Sequence, residues 1–288
     1  ALGWMSTFIV YVALPALFFK LLAETPVEQF TQWRFILATT ISTFVIFAIA
    51  FAIGTLATRG DVGKSTVIGF ASAYGNVGYM GPGLALLAFG EAAVVPVALI
   101  FCFDNTLHFV LAPLLMAMRE NGENKPSIMV LIVTALWRII SHPFILATIV
   151  GISAAVFELR PPAALQTLID YLANAAAPCA LFAMGVSLAL RPLRNVPVEA
   201  GFFIPVILVI HPLIVFWLVT STGIFPPFWI YSDVILAVLP SATNVFVIAQ
   251  QYGVWVERAS AMVLLTTVFS VFTVTALLYL ATNNLIPL

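Results

Sequence analysis

The sequence predicts an all-α polytopic membrane protein, built as an inverted five-plus-five helix repeat with two crossed broken helices. Three observations support this fold class. Of the 288 residues, 62% are hydrophobic and 8% are charged, whereas about a quarter of the residues of a soluble domain are charged. Apolar runs near the ~20 residues that a spanning helix needs recur along the whole chain. Motifs of the first half also return, in the same order, in the second half.

Polar and Pro/Gly-rich segments divide the chain into nine predicted spans. These are 2–22, 33–57, 66–89, 92–118, 141–158, 163–190, 199–221, 229–251 and 257–282. The polar segment 120–127 separates the fourth span from a shorter apolar piece. That piece, 127–140, is predicted to form a lateral helix that leads into the fifth span.

The distribution of Lys and Arg orients these spans. Eight such residues follow the even-numbered spans, whereas Lys20, Arg34 and Arg160 lie on the opposite side. Because cytoplasmic loops are enriched in positive charge, the larger set is predicted to be cytoplasmic. The C-terminus is then extracytoplasmic, and we expect a multi-pass protein of a prokaryotic inner membrane.

Two pairs of motifs indicate an internal repeat. YVALPALFF (11–19) is matched by NAAAPCALFAM (174–184), and SAYGNVGYMGPG (72–83) is matched by PSATNVFVIAQQYG (240–253). The offsets are similar, because 163 residues separate the prolines of the first pair and 168 separate the asparagines of the second.

The repeat has unequal halves, with four predicted spans before the polar segment and five after it. We therefore expect ten spans in the natural protein, the first helix being absent from this chain. An odd number of spans per unit places the two units in opposite orientations, which is the inverted repeat of secondary transporters.

Two of the predicted spans contain helix-breaking residues at membrane depth. Gly81-Pro82-Gly83 is expected to interrupt span 66–89, and Pro240-Ser241 is expected to interrupt span 229–251. Such breaks occur in a bilayer only where they line a cavity or are buried in protein. The N-terminus of a restarting half-helix carries partial positive charge and suits a carboxylate.

Asparagine and tyrosine residues near these breaks are the predicted substrate ligands. The amides of Asn76 and Asn244 could bind the two oxygens of a carboxylate, and Tyr74 and Tyr79 flank Asn76. The alternative is that these glycines, amides and aromatic rings serve close helix packing. Two matched motifs favour the site, with Gly81, Pro82, Gly83, Pro240 and Ser241 included in it.

Asp104 is the deepest acid of the chain, near the middle of span 92–118. Asn105 follows it, and His108 lies four residues on, on the same helical face. Since an ionisable residue at this depth is a functional candidate, this group is predicted to bind a coupling proton or sodium ion. The alternative is an Asp104 that only fixes helix packing through hydrogen bonds.

Other polar residues of the spans receive more ordinary interpretations. His211 and His142 adjoin prolines and are expected to hydrogen-bond carbonyls that the prolines leave unpaired. Asp233 and Asp170 lie near the outer ends of their spans and are expected to be solvated or interfacial. Gln250–Gln251 follows the second break and is expected to line a cytoplasmic exit.

Several function classes are excluded or disfavoured. The sequence lacks HExxH, GxSxG and GxGD motifs, so an enzyme is not expected, and no cofactor, metal or nucleic-acid partner is predicted. Cys102 and Cys179 lie in apolar runs, so no disulfide is expected. No Lys or Arg lies in the middle of a span, which favours a small, weakly held organic anion. A channel or membrane sensor that retains a transporter fold is the alternative.

These motifs resemble the auxin efflux carrier family, which includes plant PIN proteins and bacterial malonate transporters. The resemblance covers nearly the whole chain. Its most specific parts are AYGNVGYMGPGLALLAFG, LPSATNVFVIAQQYG, and the ALPALFF and APCALFAMG pair. It implies a secondary carrier with a fold related to bile acid:sodium symporters.

The resemblance also implies a division into two domains. The scaffold domain would comprise 1–28 and 120–195, and the transport domain would comprise 33–118 and 199–282. Elevator-type alternating access between them and a homodimer through the scaffold are implied. The segment 120–127 is far shorter than the long loop of plant PIN proteins, so regulation through such a loop is not expected.

Overall fold

A computed structural model of the chain describes residues 2–119, 128–190, 197–283 and 285. Within these residues the chain forms fourteen α-helices. Apart from one antiparallel bridge between Gly75 and Ser241, the described residues contain no β-structure. The all-helical prediction is therefore confirmed, while the polar segment 120–127 lies outside the described residues.

The helices follow one another in short succession. They are α1 Leu2–Phe8, α2 Leu14–Ala23, α3 Trp33–Ala57, α4 Val62–Ala73, α5 Gly81–Phe89, α6 Val94–Arg119, α7 Ile128–Ile140, α8 Pro143–Val156, α9 Ala163–Ala189, α10 Ala200–Pro205, α11 His211–Thr220, α12 Pro227–Ala237, α13 Thr243–Gln251 and α14 Val256–Thr282. Short π-helices, Ile9–Ala13 and Val206–Ile210, join α1 to α2 and α10 to α11. Val27–Thr31 and Gly90–Ala93 form short 3-10 helices.

Five helical runs of the described chain are long and apolar enough to cross a membrane. They are Gly3–Ala23, Trp33–Ala57, Gly81–Met118, Ala200–Thr220 and Val256–Thr282. Nine spans were predicted, and the structure accounts for part of the difference. Span 141–158 contains only the 14-residue helix α8. Spans 66–89 and 229–251 each consist of two half-helices that are individually shorter than the ~20 residues a crossing needs.

Large apolar side chains are exposed along the outer faces of the long helices. Leu37, Ile41 and Phe44 are exposed on α3, and Phe269 and Phe272 are exposed on α14. In water such faces would be unfavourable, whereas lipid tails are an equally apolar solvent for them. The outer surface is therefore that of a bilayer protein.

The first interrupted helix differs from the prediction in where it breaks. Helix α4 ends at Ala73 and α5 begins at Gly81, so the interruption covers residues 74–80. Gly81-Pro82-Gly83 forms the first turn of α5 and is not the break. The missing N–H of Pro82 removes nothing there, because the first N–H groups of a helix have no intrahelical partner.

The second interrupted helix breaks where the sequence predicts. Helix α12 ends at Ala237 and α13 begins at Thr243, so Pro240-Ser241 lies inside the interruption. The half-helices of the two interrupted helices are 12 and 9 residues long in the first and 11 and 9 in the second. The repeated motifs thus form local structures of nearly the same size.

The two interruptions meet each other through main-chain hydrogen bonds. The N–H of Asn76 donates to the carbonyl of Pro240 at 2.8 Å, and the N–H of Ala242 donates to the carbonyl of Tyr74 at 2.8 Å. We call residues 74–76 and 240–242 the crossing. Its two segments run antiparallel, and their pairing satisfies backbone groups that neither half-helix can satisfy.

The crossing requires small residues and side-chain support. A Cβ on Gly75 would lie 3.2 Å from the carbonyl oxygen of Leu236, so a larger residue there would require the end of α12 to shift. The hydroxyl of Ser241 donates to the carbonyl of Ala71 at 2.5 Å, and the N–H of Ser241 donates to Thr266 Oγ1 at 3.1 Å.

The segments assigned to a scaffold contact each other. Helix α2 packs against α8 and α9, and Lys20 Nζ lies 2.8 Å from Asp170 Oδ1. A Cβ on Gly151 would lie 3.2 Å from the backbone of Phe19, which shows how closely α8 approaches α2. The division of the chain into a scaffold and a moving domain stays a prediction.

Candidate functional site

A cavity of about 130 Å³ opens beside the crossing. Its polar lining consists of Tyr74, Asn76, Tyr79, Asn105, Thr243 and Asn244. Val10, Leu14, Phe101 and His142 form further parts of the wall. The cavity is well below the roughly 300–1,000 Å³ of pockets for drug-sized ligands, so it suits a ligand of few heavy atoms.

The Tyr74 hydroxyl joins the two halves of the chain inside this cavity. It donates to Asn105 Oδ1 at 2.5 Å and accepts from Asn244 Nδ2 at 2.8 Å. Asn105 Nδ2 donates to the carbonyl of Phe101 at 2.7 Å, which turns the amide oxygen of Asn105 toward Tyr74. Three polar side chains from three helical segments are thus held in a fixed relation.

The ring of Tyr74 is held as firmly as its hydroxyl. It stacks on the imidazole of His108 with a centroid separation of 4.0 Å and an interplanar angle of 10°. His108 Nδ1 lies 2.5 Å from the carbonyl oxygen of Asp104. His108 therefore packs against the ring of Tyr74 and does not itself line the cavity.

The electrostatics of the cavity suit an anion without a salt bridge. Thr243 and Asn244 are the first residues of α13, and the free N–H groups of a first turn carry partial positive charge. Among the described residues, no Lys or Arg lines the cavity. A carboxylate would therefore meet a helix N-terminus, amides and hydroxyl groups, all of which can donate hydrogen bonds.

Five predicted site residues do not line the cavity. Gly81, Pro82 and Gly83 are buried in the first turn of α5, away from the cavity lining. Pro240 and Ser241 contribute to the crossing through the carbonyl and hydroxyl bonds described above. All five residues shape the backbone that presents Asn76 and Asn244.

The predicted acid–amide–imidazole group is divided between two sides of α6. Asn105 lines the cavity, whereas Asp104 lines a separate small pocket behind the crossing. Asp104 Oδ2 accepts a hydrogen bond from Thr43 Oγ1 at 3.1 Å. The three residues thus perform different tasks, although they lie within five positions of one another.

Two of the more ordinary interpretations are wrong. Asp233 is only 3% exposed and lines the small pocket with Asp104, so it is not a solvated carboxylate. His211 lines the same pocket, and its ring nitrogens find no hydrogen-bond partner among the described residues, so it does not cap a freed carbonyl. His142 forms part of the cavity wall, with its ring 6.3 Å from that of Phe101, and its hydrogen bond to a carbonyl stays a prediction.

The positions of the remaining polar residues agree better with the sequence-based expectations. Asp170 is partly exposed and pairs with Lys20. Gln250 and Gln251 are exposed at the end of α13, and their part in an exit path stays a prediction.

Sequence reasoning missed several residues that the fold brings to the two pockets. Thr243 could have been found, because it immediately precedes Asn244 at the start of a half-helix. The contribution of Val10 and Leu14 carries no local signal, since they lie in an apolar run far from the breaks in sequence. The meeting of Asp233 with Asp104 likewise depends on how α12 packs against α6.

Comparisons with known proteins agree with this architecture. A family model described as "Membrane transport protein" matches residues 3–278, which include both interrupted helices. A protein of Rhizobium meliloti (strain 1021) named "Putative malonate transporter" is 56% identical over 287 residues. The alignment covers 100% of this chain and 89% of that relative.

Proposed function

Since the chain belongs to the membrane transport protein family, which is the auxin efflux carrier family of the sequence resemblance, we propose that it is a secondary carrier of small organic anions. It is a transporter and not an enzyme. The finer proposal rests on one observation, the 130 Å³ cavity where two interrupted helices meet. Broken helices at the midplane are where secondary transporters bind substrate.

The lining chemistry favours a carboxylate as the recognised group. The N-terminal residues of α13 supply partial positive charge, while Asn76 and Asn244 bring amides from the two halves of the chain. Because none of the Lys and Arg side chains that the structure describes lines the cavity, binding is expected to be weak enough for release on the opposite side.

Malonate is the substrate that we test first. The relative from Rhizobium meliloti is named "Putative malonate transporter". Malonate is a three-carbon dicarboxylate with few heavy atoms, as the cavity volume requires. Other short carboxylates are then to be added as competitors in the same assay, which would define the substrate class.

An elevator-type mechanism fits the composition of the cavity wall. Val10, Leu14 and His142 come from the segments assigned to the scaffold, and the other lining residues come from the segments assigned to the transport domain. Movement of the second set against the first would carry the cavity across the membrane. A homodimer through the scaffold in an inner membrane, with the C-terminus extracytoplasmic, completes the proposal.

Replacement of either cavity asparagine tests the site. We expect Asn76→Ala and Asn244→Ala each to weaken malonate binding about 10-fold or more, since a lost hydrogen bond to a charged group costs about 1.5–3 kcal/mol. The binding constant comes from malonate-dependent thermal stabilisation of purified protein. Malonate counterflow in proteoliposomes gives the transport rate.

Asn174→Ala is the matched control, because Asn174 is exposed on α9. It should leave binding and counterflow unchanged. Unaltered malonate counterflow in both cavity variants would refute the proposed site. Malonate flux without any counterflow in the unmodified protein would favour a channel instead of a carrier.

A further inference from the structure

A second, smaller buried space lies on the other side of the crossing. It measures about 10 Å³, which is the scale of one water molecule. Its polar lining consists of Thr43 on α3, Asp104 on α6, His211 on α11 and Asp233 on α12. Four helices that are distant in sequence thus bring two carboxyl groups and an imidazole to one enclosed point.

The groups in this space are buried and incompletely paired. Asp104 is 7% exposed, and Asp233 and His211 are each 3% exposed. Asp104 Oδ1, Asp233 Oδ2 and both ring nitrogens of His211 have no hydrogen-bond partner among the described residues. Since buried polar atoms are normally paired, this concentration of unpaired atoms indicates a binding site.

The charge of the pocket selects what can bind there. Within the described part of the chain, its lining contains no Lys or Arg. Of the other titratable groups on the elements packed around it, His108 on α6 and Tyr74 at the crossing are buried and bring no fixed positive charge. Cys102 on α6 and Tyr231 on α12 bring none either, Arg34 is exposed at the start of α3, and Arg119 is the last residue of α6. Two ionised carboxylates confined without a counter-charge are strongly destabilised, so the pair requires a bound cation, of which the proton is the smallest.

We propose that Asp104 and Asp233, with His211 beside them, bind the proton that is transported together with the anion. This inference rests on the proposed function and adds Asp233 and His211 to the coupling site. Binding joins one proton to one carboxylate oxygen, and release on the opposite side of the membrane returns that carboxylate to its ionised form.

The position of the pocket explains how proton and anion would be coupled. Gly75 lines both the cavity and the small pocket, so a single backbone segment separates them. A bound anion makes the electrostatic potential at the carboxyl pair more negative and thereby favours its protonation. By linkage, protonation strengthens anion binding by the same factor.

Transport driven by a pH gradient tests the coupling. In proteoliposomes, an imposed pH gradient should drive malonate accumulation by the unmodified protein. Each variant's malonate accumulation is divided by its rate of malonate counterflow. For Asp104→Asn and Asp233→Asn we expect this ratio under a pH gradient to fall to the ratio measured without a gradient. Asp170→Asn, which alters a partly exposed aspartate on α9, should keep the original ratio.

Infrared spectroscopy tests the proton site independently of the substrate. The unmodified protein at neutral pH should show the carbonyl absorption of a buried carboxylic acid, which the Asp104→Asn/Asp233→Asn double variant loses and Asp170→Asn retains. If malonate counterflow is absent but this absorption is present, the proposed substrate is wrong and the proton site stands. Absence of the absorption, or accumulation that follows a sodium gradient, overturns the proton proposal.

Discussion

At the scale of single residues, Tyr74 determines how the cavity is organised. Its hydroxyl bonds Asn105 from one half of the chain and Asn244 from the other, while its ring stacks on His108. A side chain with three such partners has one conformation, and the amides on either side share that restriction. In the proposed function this restriction would preorganise the cavity and lower the entropic cost of binding.

Tyr74→Phe should separate the hydroxyl from the ring. Phe retains the stacking on His108 but leaves Asn105 Oδ1 and Asn244 Nδ2 without their partner. Since an unmade hydrogen bond of a buried group costs about 1–3 kcal/mol, we expect malonate affinity to fall roughly 5- to 100-fold. Thermal stabilisation by malonate measures this change.

Tyr171→Phe provides the comparison for this variant. Tyr171 is 73% exposed on α9, and removal of its hydroxyl should leave malonate affinity as it was. Equal affinities of the Tyr74→Phe variant and the unmodified protein would show that the hydroxyl does not organise the cavity.

The predicted site residues divide according to how local their signals are. Asn76, Asn244, Tyr74 and Tyr79 were found because the motifs that contain them recur, and all four line the cavity. Asp233 was assigned to solvent from its place in a span, since depth in a linear sequence does not reveal which neighbouring helix covers a side chain.

At the scale of secondary-structure elements, the interrupted helices depend on the closeness of their contact. Gly75 allows the two segments of the crossing to exchange main-chain hydrogen bonds. The sequence predicted that both helices break. It misplaced the first break because glycine and proline occur both at a helix start and at an interruption, and tertiary pairing decides between the two.

Gly75→Ala should weaken the crossing. The added Cβ would lie 3.2 Å from the carbonyl oxygen of Leu236, a backbone atom that can move only if α12 moves. Overpacking of this kind costs typically about 1–3 kcal/mol, so we expect a lower unfolding temperature in detergent and weaker malonate binding.

Gly185→Ala is the appropriate control, since a Cβ at Gly185 meets no heavy atom within 4 Å. Within helix α9 this change should leave the unfolding temperature unchanged or raise it slightly, because Ala favours helix more than Gly does. A Gly75→Ala variant as stable as the Gly185→Ala variant would contradict the requirement for a close crossing.

At the scale of the whole molecule, the cavity takes its wall from both parts of the predicted two-domain division. Composition and apolar runs were sufficient to predict the helical membrane fold, because they report the solvent around the protein. The contact of the helical run Gly3–Ala23 with the cavity was not predictable in this way, since Val10 differs in no local property from its apolar neighbours.

Val10→Trp tests whether the helical run that contains Val10 closes the site. The indole would project into the cavity of about 130 Å³ and exclude a small dicarboxylate. We expect malonate counterflow to be lost while the purified protein remains monodisperse in gel filtration. Val12→Trp, which alters an exposed residue two positions on, should transport malonate normally.

The main-chain pairing at the crossing has a consequence for how such proteins diversify. Asn76 and Ala242 join the two halves through peptide groups, which every amino acid except proline supplies in full. Mutation can therefore replace the side chains that face the ligand while the joint that positions them is inherited intact. A lineage with this joint can acquire new cargo by a few point substitutions, without evolving a new fold.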